Sequence, residues 1–124
     1  MKKYRVFDGH CDTAIELWRQ EQNLRSNSLA VSLERAEKLE GYTQFFAFCT
    51  AWLKTRMPHT EHFARALDYF TEQLRENEDR ITLCRTMREA DAAMAAGKAA
   101  AFLAIEGAEA VREDPGLLEA AYEK

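Results

Sequence analysis

Tyr42-Thr43-Gln44-Phe45-Phe46-Ala47-Phe48-Cys49 is the stretch on which the reading of the fold turns. It is aromatic-rich and nearly continuous, without the polar alternation of a strand that has one wet face. Strands buried on both faces read this way, and they belong to parallel sheets covered by helices. A second run of the same kind, Ala99 to Ile105, lies further along. Between the two, Phe63, Ala66, Leu67, Phe70 and Leu74 recur at helical spacing, which predicts a long amphipathic helix from Glu61 to Asn77, introduced by Pro58 and Thr60.

Working outward toward the amino end, Leu33 to Leu39 consists of helix formers, with Gly41 placed where a C′ glycine would stop a helix of about two turns. Lys3 to His10 reads as a short strand built on Val6 and Phe7 and ended by Gly9. Thr13 with Glu16 reads as a capping box for a helix to about Gln20. The polar stretch Glu21 to Ser28 has neither Pro nor Gly and is read as a loop, not a domain linker.

Toward the carboxyl end, Ile81 to Cys84 is a short extended piece, and Thr86-Met87-Arg88-Glu89 is a capping box for a helix that stops at Gly97. Asp114 before Pro115 opens a last helix that runs to Lys124 without a stop signal. The order is strand, helix, strand, helix, strand, helix, an α/β pattern with right-handed crossovers. Three strands cannot close a barrel. A chain of 124 residues buries a single core, so it is expected to be a small open sheet or the first part of something larger.

Composition narrows the function classes. The 21 acidic against 17 basic residues give a formal charge of -4, with the basic residues scattered, which argues against nucleic acid as a partner. No apolar run approaches the ~20 residues of a membrane span. The basic start Met1 to Arg5 is not followed by the apolar segment of a signal peptide, and Cys11, Cys49 and Cys84 are odd in number and lack metal-ribbon spacing. Reduced thiols and a cytoplasmic location are the expectation.

The chemistry-bearing residues lie at the ends of the apolar runs. His10 and Asp12 are two apart where a strand ends, so they point the same way, and Glu106 closes the run Ala101 to Gly107. Ligand sites of α/β folds lie at the carboxyl ends of parallel strands. Singly, His10 reads as a hydrogen-bonded histidine, Asp12 as an N-cap and Glu106 as a solvated turn carboxylate. Together, carboxylates that close buried runs need a compensating positive charge, and one imidazole with two carboxylates suits Zn²⁺ with a position left for water. Cys11 falls on the opposite strand face and reads as packing, and His59 and His62 as a solvated helix terminus. Asp8 shares the parity of His10 and Asp12, which suggests a hydrogen bond to a ligand.

Asp8-Gly9-His10-Cys11-Asp12-Thr13, then Gln44-Phe45-Phe46-Ala47, then Ala104-Ile105-Glu106-Gly107, resembles the amino-terminal part of the membrane dipeptidase (renal dipeptidase, peptidase M19) family. The resemblance implies the first three βα units of a TIM-type (β/α)8 barrel, incomplete here, since such a barrel needs ~250 residues or more. It implies a site with two zinc ions that hydrolyses dipeptides. His10 and Asp12 match the first-strand ligands of one zinc and Glu106 the carboxylate that bridges both; the later histidines of the second zinc have no counterpart here. Family members often read Glu-Gly-Gly-His where this chain has Ala108 and Glu109 after Glu106-Gly107.

Two readings of function follow. One is the amino-terminal part of a zinc dipeptidase, inactive as an isolated chain. The other is a non-catalytic α/β module whose exposed strand edges bind a partner, the remainder of a barrel or a second copy. A metallohydrolase of the wider barrel superfamily fits less well, because those carry HxH where this chain has His10-Cys11-Asp12.

Overall fold

The computed structural model describes residues 4–123; the expected strand start at Lys3 and helix end at Lys124 fall outside that range. Its sheet is wholly parallel and built from β1 (Arg5–Cys11), β2 (Gly41–Cys49), β3 (Ile81–Leu83) and β4 (Ala99–Glu106), in the order β1-β2-β4-β3. The α/β expectation holds, with a correction to the strand count. Ile81 to Leu83, read as a loose extended piece, is a short edge strand, because Ile81 and Leu83 turn into the main core while the backbone pairs with Ala99 and Ala101. Three residues are too few for a periodic signal. The run Ala99 to Glu106 is fourth in the chain and occupies the third place in the sheet.

Register partners in a parallel pair project to the same face. Phe46 and Phe48 of β2 therefore share a face with Leu103 and Ile105 of β4. That face carries the main core, under α1 (Thr13–Arg19) and α3 (His59–Glu76). The predicted stripe Phe63, Ala66, Leu67, Phe70 and Leu74 is buried throughout, and Phe70 meets Phe46 at a ring separation of 4.7 Å. The opposite face shows Phe7, Phe45 and Phe102, one from each of three adjacent strands, with Phe45 and Phe102 stacked at 4.7 Å.

The helix α4 (Met87–Ala95) covers the lower part of this second face, where Ala90 and Ala93 pack on Ala100 and Phe102. The side follows from topology. The step from β3 back to β4 runs opposite to the step from β1 to β2, so a right-handed connection puts its helix on the other face. The capping box is present as expected: Glu89 N–H donates to Thr86 Oγ1, and Thr86 N–H to the Glu89 carboxylate, both at 3.2 Å. Gly97, with φ +75°, ends the helix in the left-handed region, where L side chains are strained.

Other boundaries moved. The helix expected over Leu33 to Leu39 is a single turn, α2 (Leu33–Ala36), and Gly41 opens β2 instead of stopping a helix. Its use is close packing: a side chain there would meet Met94 Sδ at 3.0 Å and Arg5 Cγ at 3.4 Å. The box expected of Thr13 and Glu16 does not form. Thr13 is the first buried residue of α1, and its hydroxyl accepts a 3.3 Å bond from Val31 N–H. A short helix, α5 (Glu109–Glu113), precedes the expected final one, α6 (Gly116–Glu123). The Asp114 carboxylate caps α6 by accepting Gly116 N–H at 3.0 Å, as its place before Pro115 predicted.

Candidate metal centre

The carboxyl ends of β1, β2 and β4 lie together, clear of α4. Glu106 is the last residue of β4, on the face it shares with Phe102 and Ala104, and Gly107 follows in the left-handed region at φ +79°. An L side chain would be strained at that φ, so the turn that releases the chain beyond Glu106 favours glycine. Glu109, at the last position of the Glu-Gly-Gly-His pattern, opens α5 and has no contact with His10 or Asp12 among the described ion pairs.

His10 reaches the same face by an irregularity. Asp8 pairs with Gln44, yet Cys11 pairs with Phe46, so three residues of β1 span two of β2. A bulge of this kind reverses side-chain parity. Cys11 enters the main core at 6% exposure, and His10 turns toward Glu106. The sequence expectation that Asp8 shares a face with His10 is thereby corrected. Asp8 touches His10 through the backbone: its Oδ1 accepts His10 N–H at 3.1 Å. Burial raises the Cys11 thiol above its usual range, in keeping with a packing role.

Asp12 occupies the N-cap position of α1, but its side chain makes no capping bond and points instead at His10. His10 Nε2 lies 3.5 Å from Asp12 Oδ1 and 3.5 Å from Glu106 Oε2, and one ligand atom from each residue falls within 4.8 Å of the other two. A tetrahedral ion with bonds of about 2.0–2.1 Å sets its ligands about 3.3–3.4 Å apart. The two distances from His10 are close to that spacing, and small side-chain movements would bring all three donors, now within 4.8 Å of one another, onto one divalent ion. The side chains are 54%, 47% and 50% exposed, so the desolvation argument made from sequence does not apply. The convergence of two carboxylates on one imidazole replaces it.

A groove of about 400 Å³ runs beside these residues along β1, lined by Asp8, Asp12, Glu16 and Tyr42 among others. Another, of about 340 Å³, lies at the far end of the sheet between Glu37, Gly41, Arg80 and Lys98, away from the carboxylates. His62 also departs from expectation. It is buried at 5% exposure, with Nε2 2.8 Å from Thr55 Oγ1 and its ring edge-on to Trp18 at 5.3 Å. Burial, with the nearby His59 and Arg19 charges, lowers its pKa, so it is a core imidazole and not a solvated terminus. A feature that sequence reasoning missed is the buried Gln44, whose Nε2 donates to the Asp8 carbonyl at 3.3 Å and to the Phe45 carbonyl at 2.8 Å. The available signal was a lone amide inside an aromatic-rich strand read as buried on both faces.

Two solved structures superpose on nearly the whole chain. One is a dipeptidase described as a metallo peptidase of family M19, with a TM-score of 0.74 and 24% identity over 97% of this chain and 40% of that one. The other is a metallo peptidase from Rhodobacter sphaeroides liganded with a phosphinate mimic of the dipeptide L-Ala-D-Ala, with a TM-score of 0.75 and 19% identity over 98% of this chain and 44% of that one. This chain thus spans less than half the length of either. No curated protein matches it. The parallel sheet accordingly corresponds to less than half of a TIM-type barrel fold such as theirs. The sequence matches the membrane dipeptidase family (peptidase family M19) along residues 1–124, and with its motifs placed at the strand ends where that fold builds its site, the chain belongs to this family.

Proposed function

We propose that this chain is the amino-terminal part of a zinc-dependent dipeptidase, residues 1–124 forming one unit of its barrel. His10 and Asp12 would hold one zinc, and Glu106 would link it to a second. The observation that carries this reading is the meeting of the three donor atoms within 4.8 Å at the carboxyl ends of two strands. When bound, the zinc pair would supply a water acidic enough to attack a peptide carbonyl near neutral pH. This chain's own part is to orient donors. The bulge in β1 turns His10, the N-cap geometry frees Asp12, and Gly107 lets the chain leave Glu106 without covering it.

Two measurements test the proposal. Competition with a chromophoric chelator is expected to show zinc uptake that His10→Ala abolishes; uptake unchanged in that variant would overturn the assignment of His10. Turnover of a simple dipeptide with added zinc is expected to be absent in the isolated chain. Robust turnover would overturn the view that the active site is only partly present.

A second reading, association through open edges, is favoured by a specific observation. β3 pairs with β4 only along Ala99 to Ala101, and β1 has a neighbour on one side. Phe7 is 59% exposed and Tyr122 78%. These features suit a partner that extends the sheet, whether the remainder of a barrel or a second copy. Light scattering at increasing concentration separates the cases, and a monomer throughout would remove self-association. Among the described residues no helix is long and apolar enough to cross a membrane. A cytoplasmic location is part of the proposal, supported by three unpaired, buried cysteines.

A further inference from the structure

We propose that Asp8 is a positioning residue that delivers His10 to the two carboxylates, acting through the turn it forms and not through its charge. This rests on the metal-site reading above. Three observations carry it. The Asp8 carboxylate accepts the N–H of the residue two further on, which is an Asx turn, at 3.1 Å. The turn spans the irregular step in the β1–β2 register, between Asp8 and Cys11. Gln44, wholly buried opposite Asp8, donates its amide to the Asp8 carbonyl and fixes the other side of the same step.

Without the extra residue in β1, strand alternation would send His10 and Cys11 to the faces opposite those they occupy. His10 would enter the main core and Cys11 would face Glu106. The bulge is therefore a requirement of the site, and Asp8 supplies the hydrogen bond that closes it. A role through charge is a distinct alternative, because a carboxylate near a ligand can also draw a cation electrostatically. Asparagine keeps the acceptor and loses the charge, whereas glutamate keeps the charge and moves the acceptor by one methylene.

The test uses the full chain and the variants Asp8→Asn, Asp8→Glu and Asp8→Ala, with two readouts. In the metal-free protein, proton cross-relaxation between the His10 ring and the Glu106 side chain reports their approach, since Nε2 and Oε2 are 3.5 Å apart. Zinc affinity is then measured by chelator competition. Contact between the Phe46 and Phe70 rings, 4.7 Å apart, serves as the control for folding.

Asp8→Asn is expected to keep the His10–Glu106 contact and the affinity. Asp8→Glu and Asp8→Ala are expected to lose the contact and to weaken zinc about 10- to 100-fold, the range found when partners that orient metal ligands are removed. The proposal is overturned if Asp8→Glu behaves as the unsubstituted chain while Asp8→Asn does not, or if the contact survives in all three. Should Asp8→Ala fail to fold, the comparison of Asn with Glu still decides. Should the unsubstituted chain take up no zinc, the metal reading fails, while the cross-relaxation result still judges Asp8.

Discussion

Replacing Glu106 by glutamine separates stability from metal binding with opposite expectations for the two. The side chain is 50% exposed and its ion-pair contact with His10 is 3.5 Å long. An exposed pair of this kind contributes about 0–1 kcal/mol, so in the presence of a chelator Glu106→Gln should melt within a few degrees of the unsubstituted chain. Zinc changes the comparison. At a free concentration of about 100 times its dissociation constant, an ion bound only by the folded chain stabilises it by ~2.7 kcal/mol. Removing a partner that merely orients a ligand costs up to about 100-fold in affinity, so removing a direct ligand should cost at least that much. At the same zinc concentration the variant would then gain only ~0.4 kcal/mol. The difference of ~2.3 kcal/mol corresponds to about 7–12 °C at ~3–5 °C per kcal/mol for a domain of this length. Paired thermal melts with chelator and with zinc measure both arms. If the variant keeps the full zinc-dependent rise, Glu106 is not a ligand, and the argument from strand register to site fails with it.

Other perturbations probe the scaffold. Phe70→Ala, at a wholly buried residue whose ring packs tilted on Phe46 and edge-on to Phe48, is expected to cost about 3–5 kcal/mol in urea unfolding, with a loss near zero refuting the assigned core. Thr86→Ala removes one half of the capping box on α4 and should cost ~1 kcal/mol by the same measurement, while Thr13→Ala should show no capping effect on α1, because Thr13 bonds to Val31 instead. His62 gives a pH dependence. Its folded pKa lies below the unfolded 6.5, so the stability it permits is complete above about 6.5 and declines as the pH falls through that value toward the folded pKa. His62→Gln should flatten the urea midpoint between pH 7.5 and 5, and a slope equal to that of the unsubstituted chain would exclude His62 as the cause.

What was legible in the sequence was whatever rested on long periodic runs or on local hydrogen-bond chemistry. The stripe from Phe63 to Leu74, the continuous strand Tyr42 to Cys49, the box at Thr86 and Glu89 and the cap at Asp114 all stand where the pattern put them. Elements shorter than one pattern repeat were misread. Ile81 to Leu83 is a strand only because β4 lies beside it, and α5 is a five-residue helix with one fully buried side chain, Ala110. Gly41 was misassigned for a related reason. A stop glycine and a close-packing glycine look identical in sequence, and the distinguishing atom, Met94 Sδ, is more than fifty residues away.

The proximity of the three candidate residues was legible in the sequence, but the strand geometry behind it was not. His10 and Asp12 were paired by counting alternate residues along an ideal strand, a count that also placed Asp8 beside them, and Glu106 was joined to them as the residue closing a second apolar run. In the structure that count fails between Asp8 and Cys11, and the three residues meet because it fails. An aspartate followed by glycine and histidine has the composition of a turn as much as of a strand. Read as a turn, Asp8 closes a hydrogen-bonded loop onto His10, adds one residue to β1, and reverses the face of everything after it. The same four residues thus send Cys11 into the main core and His10 out of it, so core packing and ligand placement depend on one local irregularity. A substitution that removes the bulge should therefore damage both at once, exposing Cys11 to thiol reagents as it withdraws His10 from Glu106.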